Sequence, residues 1–368
     1  MTCFNPKYAQ LSWGFNKEKN KMVKKLSFEK RDNFYKLKNH YGDIHDQNKP
    51  ELLIIPCRKC LGCKLDQASQ WATRCYYESK QWKNNCFITL TYNNENLKST
   101  SLIKKDIQDF LKRLRDAVSG IEPREYKGKI EYPIRYFYSG EYGPTGTHRP
   151  HFHIGIFNWK PNDMILKKLS KKKQPIYVSQ LIAKKWGKGF HSVQEMNYET
   201  ATYIARYTVK KLLGSKNEYK GNNITPEFIE TSRRGGIGYQ IITNKEEFEK
   251  MLRNYGIYVF TKKGVKLRKI PQFLRNKWKI HDEEIENYED EFFYYTKTFN
   301  ERAKADENAK KIFEQTNLSP WEYLKVQKRT LIEKLKNAKS LKRDGCDEQQ
   351  DLFSTVSGYG ALDGSSAK

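Results

Sequence analysis

Two histidines, His151 and His153, stand two apart in Pro150-His151-Phe152-His153-Ile154-Gly155-Ile156-Phe157, with His148 just before them. The run from Phe152 to Phe157 is apolar and carries β-branched Ile154 and Ile156, so it predicts a strand. Side chains alternate along a strand, which puts His151 and His153 on one face, with Gly155 leaving that face uncrowded. Phe152, Ile154 and Ile156 then point to a core. A preceding strand, Ile134 to Glu141, is joined to this one by the turn-rich Gly143-Pro144-Thr145-Gly146-Thr147, making a hairpin in which Glu141 can face both histidines. One carboxylate and two imidazoles make a three-ligand site with positions left for a phosphate and water. Mg²⁺ or Mn²⁺ there would polarise a phosphoryl oxygen; imidazole suits Mn²⁺, and Mg²⁺ is the more available. If Glu141 is not a ligand, His148 is the next candidate. Taken alone, the histidines are equally well read as surface or hydrogen-bonded residues.

A second constellation lies downstream. Asn197 can cap a helix running from Tyr198 to Leu213 and ended by Gly214. Tyr203 and Tyr207 are four apart on it and share a face. Arg206 follows the first by three residues and Lys210 the second by three. A tyrosine hydroxyl beside a cation and a metal can attack phosphorus, because a positive field favours phenolate. Paired tyrosines alone suggest core packing; the hairpin ligands and the basic helix together favour catalysis.

The third constellation is Cys57-Arg58-Lys59-Cys60-Leu61-Gly62-Cys63. Two overlapping C-x-x-C steps can converge on one zinc ion. A structural site needs a fourth ligand, for which Cys3 is the first candidate and Cys75 the second. The competing reading is reduced thiols packed as small hydrophobes.

These residues sit in a chain of 368 with a formal net charge of +26, which points to a polyanionic partner, foremost nucleic acid. The 24 tyrosines and 19 phenylalanines, interleaved with Lys and Arg, suit stacking on unpaired bases, although most must be core. No apolar run is long enough to span a membrane, and no secretory leader is recognisable. Seven cysteines in such a chain suggest a reducing compartment.

The elements that must position the site follow from periodicity. Residues 1–56 read as irregular and basic, apart from a short apolar strand at Leu52–Ile55. A helix is expected from Lys64 to about Trp82, a strand over Cys86–Tyr92 with Phe87, Thr89 and Thr91 on one face, and an amphipathic helix from Ser101 to about Val118. After the hairpin, Asn158–Gln174 reads as a lysine-rich connection, Val178–Trp186 as a helix and Phe190–Met196 as a strand. This order predicts an α+β fold with an antiparallel-rich central sheet and packed helices. Five regions result: a basic segment with the Cys cluster (1–63), the core (64–214), a basic extension that could contact DNA (215–283), a charged helical region (284–342) whose helix starts at Ser319-Pro320-Trp321-Glu322, and a disordered tail (343–368). In the extension, Ser232-Arg233-Arg234-Gly235-Gly236-Ile237-Gly238 could approach a phosphate backbone, and Ile257–Phe260 begins a hairpin.

The motifs together resemble the HUH endonucleases that start rolling-circle replication, with the nearest likeness to replication initiators of gokushovirus-type microviruses. Phe87-Ile88-Thr89-Leu90-Thr91-Tyr92 is similar to that family's first motif, Pro150-His151-Phe152-His153 to its His-hydrophobic-His motif, and Tyr203 through Lys211 to its two-tyrosine motif. Pro56 through Cys63, Gln70-Trp71 and Ser232-Arg233-Arg234 with Gly236-Ile237-Gly238 resemble further segments; Gly235 departs from the usual proline. The likeness covers about residues 50–240. It implies an RRM-like core and a site-specific nickase and strand transferase with Glu141, His151 and His153 as metal ligands. Tyr203 and Tyr207 would be nucleophiles, assisted by Arg206 and Lys210, with Thr89, Thr91, Lys211, Arg233 and Arg234 on the DNA. It further implies single-stranded origin DNA as substrate, a host helicase and polymerase as partners, and action in the cytoplasm of a bacterial host. The alternatives are a non-catalytic single-stranded DNA-binding protein, a basic structural or packaging protein, and a relaxase or transposase of the same superfamily.

Overall fold

In the computed structural model, the residues described are 3–16, 21–30, 32–33, 51–118, 124–126, 129–131, 134–143, 149–170, 173–205, 224–233, 235–253, 256–261, 264–282, 314–318, 322–323 and 325–333. The chain forms two compact units, one of residues 1–66 with 296–368 and the other of residues 67–295.

The first unit holds β1 (Lys7–Asn16), β2 (Lys21–Glu29) and β3 (Glu51–Ile55) in an antiparallel sheet of order β2-β1-β3. This corrects the expectation of an irregular segment. Apolar Leu26 and Phe28 on β2, and Leu11, Trp13 and Phe15 on β1, do alternate, but lysines between them mask the period. Helix α1 (Leu61–Lys80) follows, and the boundary between the units falls within it.

The second unit is built on a seven-stranded antiparallel sheet. Its members are β4 (Asn85–Tyr92), β7 (Arg135–Tyr142), β8 (Pro150–Phe157), β9 (Met164–Leu169), β10 (Pro175–Ser179), β11 (Gly189–Glu195) and β12 (Phe228–Thr231), in the order β12-β7-β8-β4-β11-β10-β9. A small hairpin, β5 (Arg124–Tyr126) and β6 (Lys129–Glu131), precedes β7, and another, β13 (Ile257–Thr261) and β14 (Gly264–Arg268), bears out the expected Ile257–Phe260 hairpin. The mixed α+β architecture is the one expected, and β12 carries the sheet beyond residue 214.

Two local readings are corrected. The lysine-rich connection contains β9, an edge strand whose Lys167 and Lys168 discourage further pairing. The expected helix from Val178 starts at Gln180. Ile176, Tyr177 and Val178 favour extended backbone and form β10, and the Ser179 side chain accepts a bond from Ile182 N–H to cap α3 (Gln180–Trp186).

One face of the sheet carries the main core. Ile88, Leu90, Phe152, Ile154 and Ile156 pack with Ile107, Phe110, Leu111 and Leu114 of α2 (Lys104–Ala117) and with Ile182 and Trp186 of α3. The opposite face carries Phe87, Thr89 and Thr91 of β4, Phe137, Ser139 and Glu141 of β7, and His151, His153 and Gly155 of β8, by register. Onto this face come α1, whose Trp71 stacks on Phe137 at 4.9 Å, and α4 (Tyr198–Ala205). Asn197 Oδ1 accepts from Thr200 N–H at 2.9 Å, the expected cap. The rest of that helix, with Arg206, Tyr207, Lys210 and Lys211, lies outside the described residues, as do His148, Arg234 and the Ser319 helix start.

A buried ionic network joins α1, β7 and the glycine loop. Arg135 Nε donates to Glu78 Oε1 at 2.6 Å, and the other carboxylate oxygen accepts from Gly238 N–H at 2.7 Å. Arg135 and Arg74 donate to the carbonyls of Gly236 and Ile237. The Arg74 guanidinium lies between the Trp71 and Phe273 rings, 4.0 and 3.8 Å from their centroids. Gly238 has φ +73°, and a Cβ there would lie 2.7 Å from the Arg74 carbonyl oxygen. The glycines therefore let the chain close over α1. The glycine segment, read from sequence as a possible phosphate loop, serves the fold, while neighbouring Arg233 is exposed. Helices α5 (Lys245–Arg253) and α6 (Gln272–Asp282) complete the unit, with Phe248 against Trp278.

Candidate metal and nucleophile site

The hairpin β7–β8 sets the site by register. Glu141 pairs with His151, and Ser139 with His153, so all four side chains project from one face. His153 Nε2 is 2.5 Å from Glu141 Oε1, and both residues are buried. The His153 Nδ1 lies 3.1 Å from Thr89 Oγ1 on β4, the strand on its other side. Thr89, assigned to DNA from sequence, therefore orients a metal-ligand candidate. Thr91 is half-buried in the row of His151.

His151 is half-buried, and its Nδ1 is 3.0 Å from the Pro150 carbonyl oxygen. A carbonyl only accepts, so the proton belongs on Nδ1 and Nε2 presents its lone pair. Gly143 closes the hairpin by donating to the Arg149 carbonyl at 3.1 Å. A Cβ on Gly143 would stand 3.2 Å from His151 Nε2, so the missing side chain keeps that nitrogen approachable. The two imidazole centroids are 6.3 Å apart. This is a looser gathering than the cysteine group described below.

Tyr203 of α4 meets His153 edge-on, with ring centroids 4.9 Å apart, and Phe87 at 6.0 Å. Phe87 stacks on His153 from the β4 side, at 5.8 Å and 5°. The sequence reading of Gly155 as open space needs correcting. A Cβ there would lie 3.0 Å from Met196 Cε and 3.4 Å from Ile204 Cδ1, so Gly155 is the seat on which α4 rests. That close approach brings Tyr203 over His153.

The donor set fits a divalent cation: a carboxylate for a hard ion and two neutral imidazoles acceptable to Mn²⁺. A further observation supports the fit. Ser139 is fully buried beside His153 and Glu141, and its Oγ has no hydrogen-bond partner among the described residues. A buried hydroxyl without a partner is costly, and a hydrated cation or its water would satisfy it. Sequence reasoning missed Ser139, since a serine in a strand carries no signal until register places it beside a ligand.

The cysteine expectation is met in geometry. Sγ atoms of Cys3, Cys57, Cys60 and Cys63 all lie within 4.8 Å of one another, the one such gathering of three or more His, Cys, Asp or Glu ligand atoms among the described residues. Cys75 is buried on α1 apart from that group. Among the described residues, no helix is long and apolar enough to cross a membrane.

Comparison with known proteins agrees with this picture. The family model of replication-associated protein ORF2 matches residues 85–212, which run from β4 past α4 and include every ligand candidate on the sheet. Replication-associated protein ORF2 of Spiroplasma virus 4 is 36% identical over 267 residues, covering 69% of this chain and 77% of the relative. Replication-associated protein VP4 of Bdellovibrio phage phiMH2K is 35% identical over 215 residues, 57% of this chain and 65% of the relative. Replication-associated protein ORF4 of Chlamydia phage 1 is 30% identical over 175 residues, 46% of this chain and 42% of the relative. No solved structure matches the chain at comparable stringency. With the first of these relatives matched over 77% of its length, this chain belongs to the replication-associated proteins of gokushovirus-type microviruses.

Proposed function

We propose that this protein is a metal-dependent, site-specific nickase and strand transferase that starts and ends rolling-circle replication of a small single-stranded DNA phage genome. The observation that carries this reading is Tyr203 in ring contact with His153, itself bonded to Glu141, on the sheet face shared with His151. A nucleophile and a metal-ligand set side by side, in a chain of net charge +26, suit phosphodiester chemistry.

Glu141, His151 and His153 would hold Mg²⁺ or Mn²⁺. When bound, the cation polarises a phosphoryl oxygen and offsets the charge developing there. The protein's own contribution is orientation. Pro150 O and Thr89 Oγ1 hold the Nδ1 sides of the two imidazoles, leaving the Nε2 sides toward the ligand position. Attack by a tyrosine oxygen on phosphorus forms a P–O bond to the protein and breaks the bond to the 3′ oxygen. That oxygen takes up a proton and leaves as a 3′-hydroxyl for a host polymerase, while the 5′ phosphate stays on tyrosine. Tyr207 would supply the second nucleophile, cleaving the regenerated origin so that the new 3′-hydroxyl attacks the first phosphotyrosine and closes the circle. Arg206 and Lys210 would favour phenolate. Thr91, Lys211, Arg233 and Arg234 would hold the strand, a host helicase would unwind it, and the work would take place in the bacterial cytoplasm.

Incubation with genome-derived single-stranded oligonucleotides and Mn²⁺ should yield a protein–DNA adduct on a denaturing gel. Tyr203→Phe should still nick once through Tyr207 but fail to complete repeated cleavage and closure. The reading falls if no fragment of the genome gives an adduct, or if adduct forms equally in the Tyr203→Phe, Tyr207→Phe double variant.

A further inference from the structure

The sequence around Cys57 offers three thiols, and the fold brings a fourth from the other end of a sheet. Strand β1 pairs antiparallel with β3, with Lys7 opposite Ile55. The lead into β1, carrying Cys3, and the exit from β3, carrying Cys57, therefore lie at the same end of that sheet. After Cys57 the chain turns tightly: Arg58 has φ +58°, a left-handed conformation uncommon for a residue with a side chain. This turn returns Cys60 toward Cys57, and the first turn of α1 adds Cys63, with Lys64 N–H bonding the Cys60 carbonyl at 3.1 Å.

Backbone amides point at the sulfurs. Cys57 N–H donates to Cys3 Sγ at 3.2 Å, Phe4 N–H to Cys60 Sγ at 3.2 Å, and Cys60 N–H to Cys57 Sγ at 3.3 Å. Amides directed at sulfur favour thiolate over thiol. The cysteines are free, and two cross-pairs, Cys57 with Cys63 and Cys60 with Cys3, stand 3.9 Å apart, far beyond a disulfide bond.

That spacing selects among metals. Four sulfurs at about 2.3 Å from one tetrahedral ion stand about 3.8 Å from each other. An iron–sulfur cluster needs its thiolates spread wider, because each binds a different iron atom. Thiolates are poor ligands for Mg²⁺, Ca²⁺ or Mn²⁺. From this convergence of four sulfurs at tetrahedral spacing, we propose that Cys3, Cys57, Cys60 and Cys63 bind one structural zinc ion. With four protein ligands, the site leaves no position for substrate. Its work is mechanical: it ties the start of β1, the end of β3 and the first turn of α1, three points that otherwise share little core. Arg58, Lys59 and Lys64 flank the site in sequence and offset the excess negative charge of four thiolates around a divalent ion.

The full chain, purified in reducing buffer without chelator, should carry about one zinc by elemental analysis, the stoichiometry of a single four-thiolate site. Cobalt exchanged into it should give the sulfur-to-metal charge-transfer absorption of tetrahedral thiolate ligation. Mass mapping of alkylated peptides should find Cys3, Cys57, Cys60 and Cys63 protected together until a strong chelator is added, and then labelled together. Cys60→Ser should lose the zinc, and Cys86→Ser, whose thiol is buried elsewhere, should keep it. Because Cys60→Ser can fail to fold, the alkylation of the unaltered chain decides in that event. A metal-free protein, unprotected cysteines, or a Cys57–Cys63 disulfide in the reduced preparation would each overturn the zinc site.

Discussion

The chain gathers metal-ligand side chains in two places, and the two are built on opposite plans. On the large sheet, one carboxylate and two imidazoles come from adjacent strands of a single hairpin, and strand register alone places them on one face. At the cysteine cluster, four identical soft ligands come from a chain lead, a tight turn and a helix start, and they close within 4.8 Å. The sheet site is looser, with imidazoles 6.3 Å apart, a tyrosine against one of them and a glycine in place of a side chain beside the other. A closed, uniform set resists exchange and holds structure. An open, mixed set on a rigid platform leaves room for a substrate oxygen and a nucleophile. The same chain thus separates the job of holding itself together from the job of holding a phosphate.

This contrast is open to a direct break. His153→Ala should lower metal-dependent nicking by well over ~100-fold, since loss of even an outer partner of a ligand costs ~10–100-fold. Origin binding should survive, because it rests on many phosphate contacts. Zinc content should be unchanged. Gel assays of adduct and elemental analysis on one preparation check both halves. Loss of zinc in His153→Ala would mean that the two sites are not separate.

A second test concerns what holds the sheet-borne site in place. Glu78 is fully buried against Arg135, which sits on β7 six residues before Glu141 and on the same face. Glu78→Gln leaves the Arg135 charge buried without its counter-charge, which typically costs ~3–5 kcal/mol of stability. Denaturant unfolding should register that loss. The fraction still folded should bind Mn²⁺ with little change, because hairpin register sets the ligands. A large fall in Mn²⁺ affinity of the folded protein would mean that α1 shapes the site directly.

A third test takes the open character of the sheet site outward. Phe190 on β11 pairs with Thr91, which pairs with His151, so the phenyl ring lies two strands from the histidine in the same row and on the same face. That is roughly 10 Å, at ~4.8 Å per strand. The ring is 62% exposed. A large exposed aromatic there suits stacking on a base of the strand being cut. Phe190→Ala should weaken binding of single-stranded origin DNA by about 1–3 kcal/mol, measured by fluorescence anisotropy, and leave zinc and Mn²⁺ binding alone. Unchanged DNA affinity would place the strand elsewhere on the sheet.

How much of this could be read in the sequence follows from the range over which each feature is encoded. The hairpin, its ligand face, the Asn197 cap and the amphipathic stripe of α2 are local periodicities, and they were legible. The fourth thiol, Cys3, was legible only as a candidate, because the pairing of β1 with β3 that delivers it is long-range. Features hidden from sequence were those set by cross-strand or inter-element contact. Thr89 looked like a DNA contact and meets His153; Gly155 looked like open space and seats α4; the glycine segment looked like a phosphate loop and closes over α1. Lysines also concealed β2 and β9, since strand alternation is hard to see when charged residues occupy an exposed sheet face.

The smallest expected effect, at Ser139, has an unusual sign. Its Oγ is buried beside His153 without a partner among the described residues. In metal-free protein that hydroxyl is a liability of ~1–3 kcal/mol, the usual cost of an unsatisfied buried polar group. Ser139→Ala removes it, and the small cavity left by one oxygen offsets part of the gain. The metal-free variant should therefore melt slightly higher than the unaltered protein. If the hydroxyl finds its partner in a cation or cation-bound water, the variant should gain less stability from Mn²⁺, with an affinity reduced severalfold. Melting curves with and without Mn²⁺ separate the two contributions, because a merely structural serine would shift both curves equally. At the closed cysteine cluster the sulfurs already accept backbone amides, so no comparable gain from deleting a polar atom is expected there. An open site tolerates an unsatisfied group while it waits for its ligand. An equal shift of both curves would return Ser139 to the fold and leave the metal to Glu141, His151 and His153 alone.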